Sequence, residues 1–238
     1  MRVRIYISQF DIPYNMKKYL LIAGLTLCSI SFTYAQSTDA NEQANYTQVI
    51  AKRSEKIVDA LNITDSAKYK RVVAIIVDQY RNLSAVHDTR NQEAKDIKSK
   101  QGDDKAAADK QIAAIDSNVD KQLDKLHNVY LAKLGTELNN EQIDEVKDQM
   151  TYRILPLTYN AYTDEIPNLT DVQKTQIKAW LVEAREHAID AESSEKKHAW
   201  FGKYKGRINN YLSAQGYDMK KEAADWQQRI KDKSNQKG

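Results

Sequence analysis

From Tyr46 onward the apolar positions recur in steps of three and four. Val49, Ile50, Ile57, Val58 and Leu61 fall on one side of a helix predicted over about Tyr46 to Leu61. Thr64 stands where a cap for the next helix belongs. That helix is long, about Asp65 to Lys100, and its stripe is Val73, Ile76, Tyr80, Leu83, His87, Arg90, Ala94 and Ile97. The alternating spacing is that of a coiled-coil seam. Gln101-Gly102-Asp103 turns the chain, and a third helix over about Asp104 to Glu137 carries Ile112, Ile115, Val119, Leu123, Leu126, Tyr130 and Leu134. Two such helices joined by a tight turn form an antiparallel hairpin with arms roughly 50 Å long.

Two helix starts beyond the hairpin look alike. Leu138-Asn139-Asn140-Glu141-Gln142 and Leu169-Thr170-Asp171-Val172-Gln173 each place a capping residue three before a glutamine, as in a capping box. They read as caps or as a weak internal repeat. The second is similar to the Leu-Thr-x-x-Gln motif of small periplasmic stress chaperones. Between them, "TYRILPLTYNAYTDEIP" holds Pro156, Pro167, Tyr152, Tyr159 and Tyr162 and is expected to be an irregular, tyrosine-rich loop. A fifth helix over Asp171 to about Glu192 buries Ile177, Leu181, Ala184 and Ala188. Ser193-Ser194 caps a sixth, which runs to about Gln215 and ends at Gly216. A last charged segment, Met219 to Lys231, forms a marginal helix held by Trp226 and Ile230.

The sixth helix carries the most informative surface. In "SSEKKHAWFGKYKGRINNYLSAQGYD", Phe201, Tyr204, Ile208, Tyr211 and Leu212 make a core side. Beside it runs a stripe of Lys196, Trp200, Lys203, Arg207 and Asn210, locally cationic. Gly202 and Gly206 sit one turn apart, each costing roughly 1 kcal/mol relative to alanine. A close helix crossing or a ligand lying on bare backbone would offset that, and a glycine line fits the crossing better.

Composition narrows the class. Few glycines, abundant Ala, Lys, Glu, Asp and Gln, and no useful β-alternating run predict an all-α protein: a long antiparallel helical hairpin packed on a C-terminal helical bundle. The N-terminus reads as a secretory signal. Met16-Lys17-Lys18 is a basic start, Tyr19 to Phe32 is apolar but too short to span a bilayer, and cleavage is expected after Ala35. Residues 1–15 then look like an upstream extension, with Met16 the start. Cys28, the only cysteine, lies in that segment behind a bulky Leu27 and is not expected to be lipidated. The mature chain therefore has no thiol chemistry. Removing Arg2, Arg4, Lys17, Lys18 and Asp11 from 36 cations and 33 anions leaves 32 of each. A neutral mature chain argues against nucleic-acid binding. The organisation expected is a signal segment over 1–35, a disordered linker over 36–45, one all-α domain over 46–216, and a charged helix with a frayed tail over 217–238. The location is periplasmic or secreted, with no membrane anchor after cleavage.

A basic-aromatic stripe has three readings: a solvated face with Trp200 tucked into a neighbour, a site for an anionic sugar, or a site for an acidic protein. In the second, an aromatic ring stacks on the sugar while Arg207 pairs with its carboxylate. The span from "MTYRILPLTYNAYTDEIPNLTDVQKTQIKAWL" through "VEAREHAIDAESSEKKHAWFGKYKGRINNYLSAQGYD", with "QYRNLSAVHDTRN" upstream, resembles a family of secreted proteins of unknown function, family 3826. Its members come from Gram-negative bacteria that degrade polysaccharides and have been described as sugar-binding. The resemblance implies secretion and a glycan context and supplies no catalytic residues.

His87 and Arg90 fall on the inward seam of the second helix, where a heptad wants apolar residues. They form a structural polar layer or join a site where that helix meets the tyrosine loop or the cationic stripe. His87 and His127 are offset by roughly 15 Å along the hairpin axis, too far to share one ion. No zinc spacing, phosphate loop or nucleophile elbow appears. No metal or cofactor is expected. Asp164 and Glu165 are neighbours and poorly placed to flank a glycosidic bond. The leading expectation is non-catalytic binding of an acidic oligosaccharide by Trp200, Lys203, Arg207, Tyr159, Tyr162, His87 and Arg90. The alternatives are a lyase acting on uronate-containing polysaccharide and a periplasmic chaperone-like helical protein.

Overall fold

The computed structural model describes residues 44–235. The expected signal segment over 1–35, with Cys28, and residues 36–43 of the expected linker lie outside the described residues. The chain divides into two units, Met1–Ile50 and Ala51–Gly238. The site described below belongs wholly to the second.

Every regular element among the described residues is an α-helix, so the all-α expectation holds. Helix α1 covers 44–59. It is followed by α2 (Ser66–Gln101), α3 (Lys105–Gly135), α4 (Asn140–Met150), α5 (Ile154–Glu165), α6 (Asp171–Ile189), α7 (Ser194–Ala214) and α8 (Met219–Asn235). Helices α2 and α3 pair as the hairpin, and α5 to α8 form the C-terminal bundle. Gly102 supplies the positive φ, 55°, that the hairpin turn needs. The seam is half-buried along much of α3, with Ala108, Tyr130 and Leu134 fully enclosed. Two helices alone cover little of each other's faces: near the hairpin turn only small residues such as Ala94 and Ala108 are enclosed, and the large Tyr130 and Leu134 are enclosed at the end where α4 follows.

Local chemistry places most helix ends where the pattern put them. Both capping boxes form: Asn139 with Gln142, and Thr170 with Gln173. Ser193 accepts from the Lys196 N–H and starts α7. Gly216, at φ 95°, ends it in a Schellman arrangement, with Tyr217 N–H donating to the Leu212 carbonyl and Gly216 N–H to that of Ser213. At α2 the cap is Asp65 rather than Thr64, its carboxylate accepting from Ala67 N–H at 2.8 Å and Lys68 N–H at 3.1 Å.

The largest departure is the tyrosine segment, which is a helix and not a loop. Pro156 is the third residue of α5, where its missing N–H has no intrahelical acceptor to lose. The break lies just before it. Tyr152 and Arg153 both take left-handed backbone, φ 59° and 56°, to turn α4 into α5. Tyr159 packs against the bundle core, and Tyr162 is built into it.

That core comprises Leu155, Tyr162, Ile166 and Leu169 against Ile177, Leu181, Ala184 and Ala188 of α6, with Phe201, Tyr204, Ile208 and Leu212 of α7. Each large member contributes about 1.5–3 kcal/mol by leaving water. Helix α8 has no fully buried residue. Arg229 ties it down by donating to the Asp164 and Glu165 carbonyls at the end of α5, at 3.0 and 2.8 Å.

The glycine pair does not serve a helix crossing. A β-carbon at Gly202 or Gly206 would meet nothing within 4 Å. Both face away from the core side of α7, so they line no packed neighbour. Gly206→Ala is therefore expected to raise stability by up to about 1 kcal/mol, or about 2–4 °C in melting temperature. A thermal melt showing a loss would contradict the open placement.

Candidate functional site

The site is organised by the C-terminus of α6. Glu186 and Asp190 are four apart and share a helix face. Both turn toward His127 of α3, whose Nδ1 lies 2.6 Å from Asp190 Oδ2 and whose Nε2 lies 3.4 Å from Glu186 Oε2. With a carboxylate at each nitrogen, the ring is held as imidazolium. The Asp190 hydrogen bond, then that of Glu186, outweighs burial and lifts its pKa to about 9. Burial pushes Glu186 up, but hydrogen bonds from His127 and Lys147, helped by the Arg185 charge, bring it down to about 2.

Asp190 also reaches α2. Gln79 Nε2 donates to Asp190 Oδ1 at 3.3 Å, and His87 Nε2 donates to the Asp190 backbone carbonyl at 2.8 Å. The axial offset between His87 and His127 is bridged by one residue using its carbonyl for one ring and its carboxylate for the other. Lys197 closes the same helix end from beneath. Its buried ammonium donates to the Ala188 and Ile189 carbonyls at 2.9 and 2.7 Å, and burial lowers its pKa to about 8.

Above this hub opens a cleft of about 770 Å³. The hairpin supplies one wall with His87, Asp120, Leu123, Asp124 and His127. Helices α6 and α7 and their connection supply the other with Glu186, His187, Glu192, Lys196, Trp200 and Lys203. The indole of Trp200 stacks on His187, centroids 4.4 Å apart at 14°, and Lys203 Nζ lies over the indole at 4.9 Å. Lys196 pairs with Glu192. Asp120 and Asp124 are exposed and have no protein partner among the described residues.

Of the seven expected site residues, the structure brings three to this cleft: His87, Trp200 and Lys203. The other four lie elsewhere. Arg207 stacks on Trp180 at 4.6 Å and approaches Glu183 at 3.5 Å, about one turn beyond Lys203 at the cleft end. Arg90 forms a fork to Asp116 across the hairpin, at 2.8 and 3.2 Å, which makes it part of the polar layer of the seam. Tyr162 donates to Asn209 Oδ1 at 2.6 Å inside the bundle, on another side of α7. Tyr159 belongs to the packed surface of α5. The sequence reading missed Asp190, Glu186, His187 and the role of His127. The available signal was the Glu186–Asp190 spacing together with a histidine, His127, interrupting the apolar seam beside Leu126.

The cleft is less cationic than the α7 stripe suggested. Lys197 is turned inward and Lys196 is neutralised by Glu192. Lys203 remains as the ammonium without a carboxylate partner among the described lining residues, in a lining it shares with Asp120 and Asp124. A polyanion would meet this lining unfavourably, whereas a single carboxylate near Lys203 would not.

No curated protein matches the chain. A family model described as "Protein of unknown function (DUF3826)" matches residues 47–232 and so spans the hairpin, the cleft and the bundle. The chain belongs to that family.

Proposed function

We propose that the protein is a carbohydrate-binding protein of the periplasm or cell exterior, its signal segment removed after Ala35. Its ligand is an oligosaccharide in which uronates are sparse among neutral sugars. The observation that carries this reading is the convergence in one cleft of an indole wall, two uncommitted carboxylates and one ammonium. Aromatic rings take the apolar face of a pyranose, carboxylates accept from its hydroxyls, and an ammonium takes its acid group. Lys203 resting on Trp200 serves both needs. A ring stacking on the indole displaces the flexible ammonium toward the ligand's own carboxylate.

The charge balance narrows the acidic glycan of the sequence reading to one with isolated acids. The chaperone reading has less to stand on. In the second unit the large exposed apolar residues are Val129 on α3, Tyr152 in the α4–α5 turn, Leu157 on α5, Val172 on α6 and Ile230 on α8, a short list for a surface that holds unfolded chains.

Calorimetric titration tests the proposal. Oligosaccharides of alternating 4-linked galacturonate and rhamnose are expected to bind more tightly than oligogalacturonides of equal length. Trp200→Ala and Lys203→Ala are each expected to weaken binding about tenfold, on the order of 1.4 kcal/mol. Arg207→Ala and Arg90→Ala should leave it within about twofold. Equal losses from all four, or preference for the polyanion, would place the site elsewhere.

A further inference from the structure

Two imidazoles in one cleft are held by a single residue, one through its backbone carbonyl and the other through its carboxylate. The backbone carbonyl of Asp190 can only accept, so the His87 contact at 2.8 Å fixes a proton on Nε2. In the neutral ring the lone pair is then on Nδ1, which has no protein partner among the described residues. His127 differs. Both its nitrogens face carboxylates, at 2.6 and 3.4 Å, so both carry protons. The His87 ring thus keeps Nδ1 clear of protein contacts, and the His127 ring presents an N–H at each carboxylate. The longer contact, at Nε2, leaves that proton the more easily transferred. A purely structural polar layer would use the same hydrogen bonds, but it has no need to line an open cleft beside an ammonium.

We infer that this cleft performs β-elimination on its ligand, cleaving at a uronate that carries a glycosyl group on O4, with His87 as proton acceptor and His127 as proton donor. The inference rests on the sugar-binding reading above. The substrate's carboxylate pairs with Lys203, which makes the adjacent C5–H more acidic. His87 Nδ1 takes the C5 proton, and the electron pair of that bond forms the C4–C5 double bond. The C4–O bond breaks, and the departing oxygen takes a proton from His127 Nε2. Water then removes the proton from His87 and reloads His127, so no further reactant is consumed. The products are one chain ending in an unsaturated uronate and one with a free hydroxyl. An unsubstituted uronate, with no glycosyl leaving group at C4, binds without reacting.

The test incubates the purified protein with oligosaccharides of alternating 4-linked galacturonate and rhamnose and follows the ultraviolet absorbance of the new unsaturated carboxylate. Wild type is expected to generate it. His87→Gln keeps an amide able to donate to the Asp190 carbonyl but removes the base, and should slow product formation by about 10²-fold or more while calorimetric binding persists. Thermal melts run alongside establish that the variant is folded. Binding by wild type without unsaturated ends overturns the elimination and leaves the binding reading standing. Unsaturated ends formed equally by His87→Gln overturn the assignment of the base. Absence of both binding and product removes the sugar-binding reading, and the elimination with it.

Discussion

Arg185→Leu will destabilise the protein by about 3–5 kcal/mol. The Arg185 side chain is only 5% exposed and donates to Asp148 Oδ1 at 2.7 Å, Asp144 Oδ1 at 2.6 Å and the Asp144 carbonyl at 3.3 Å. These bonds fasten α6 to α4, and α6 carries the residues of the site. Removing the guanidinium strands Asp148, which is itself 15% exposed, whereas Asp144 at 58% stays in water. Burial already pushes the Asp148 carboxyl up more than Arg185 pulls it down. The pair therefore specifies how α4 docks more than it adds net stability. The double change Arg185→Leu with Asp148→Leu is accordingly expected to recover most of the single-variant loss. Urea denaturation of the three proteins checks this. A single-variant loss below about 1 kcal/mol would contradict the buried-pair description.

The second large effect is a pH-dependent link between the hairpin and the bundle. His127 has a raised folded pKa, from 6.5 to about 9, so its contribution is complete below pH 6.5 and is lost as pH rises through about 9. Glu186 has a lowered one, from 4.5 to about 2, so its contribution is complete above pH 4.5 and is lost as pH falls through about 2. Their overlap gives a plateau between pH 4.5 and 6.5. The groups that set it are Asp190 and Glu186 on α6, Lys147 on α4 and Arg185 beyond them, with His87 on the Asp190 carbonyl and Asp124 one turn away on α3. His127→Gln is expected to cost on the order of 3 kcal/mol at pH 6 and much less at pH 10. Melting temperature followed against pH should show the alkaline limb in wild type and a flattened one in the variant. Parallel curves would show that His127 is not the titrating contact.

The legible and illegible parts of the molecule divide along a physical line. Helices announced themselves through local periodicity and caps: Asn139, Thr170, Ser193 and Gly216 each act within four residues of themselves. Helix α5 was hidden because proline and tyrosine suggest irregular chain, and only its first-turn register makes Pro156 harmless. The site was hidden for another reason. Asp190 meets His127 and His87 across 63 and 103 residues of chain, and periodicity along one helix says nothing about which helix lies opposite. On α7 the stripe was found correctly as a helical face, but a face runs the whole helix and a cleft does not. Trp200 and Lys203 reach it. Arg207, seven residues past Trp200 and roughly 10 Å further along the axis, does not. The glycine pair failed in the same way, since spacing gives a line on a helix without giving what lies against it.

The most direct test of the cleft as a ligand site uses the tryptophans, of which the chain has three. Trp200 lines the cleft, Trp180 lies under Arg207 outside it, and Trp226 is on α8. Indole N–H resonances are recorded while oligosaccharide of alternating galacturonate and rhamnose is added. The expected result is a saturable shift of the Trp200 signal with Trp180 and Trp226 unmoved. A saturable shift of Trp180 or Trp226 with Trp200 unmoved would contradict the account.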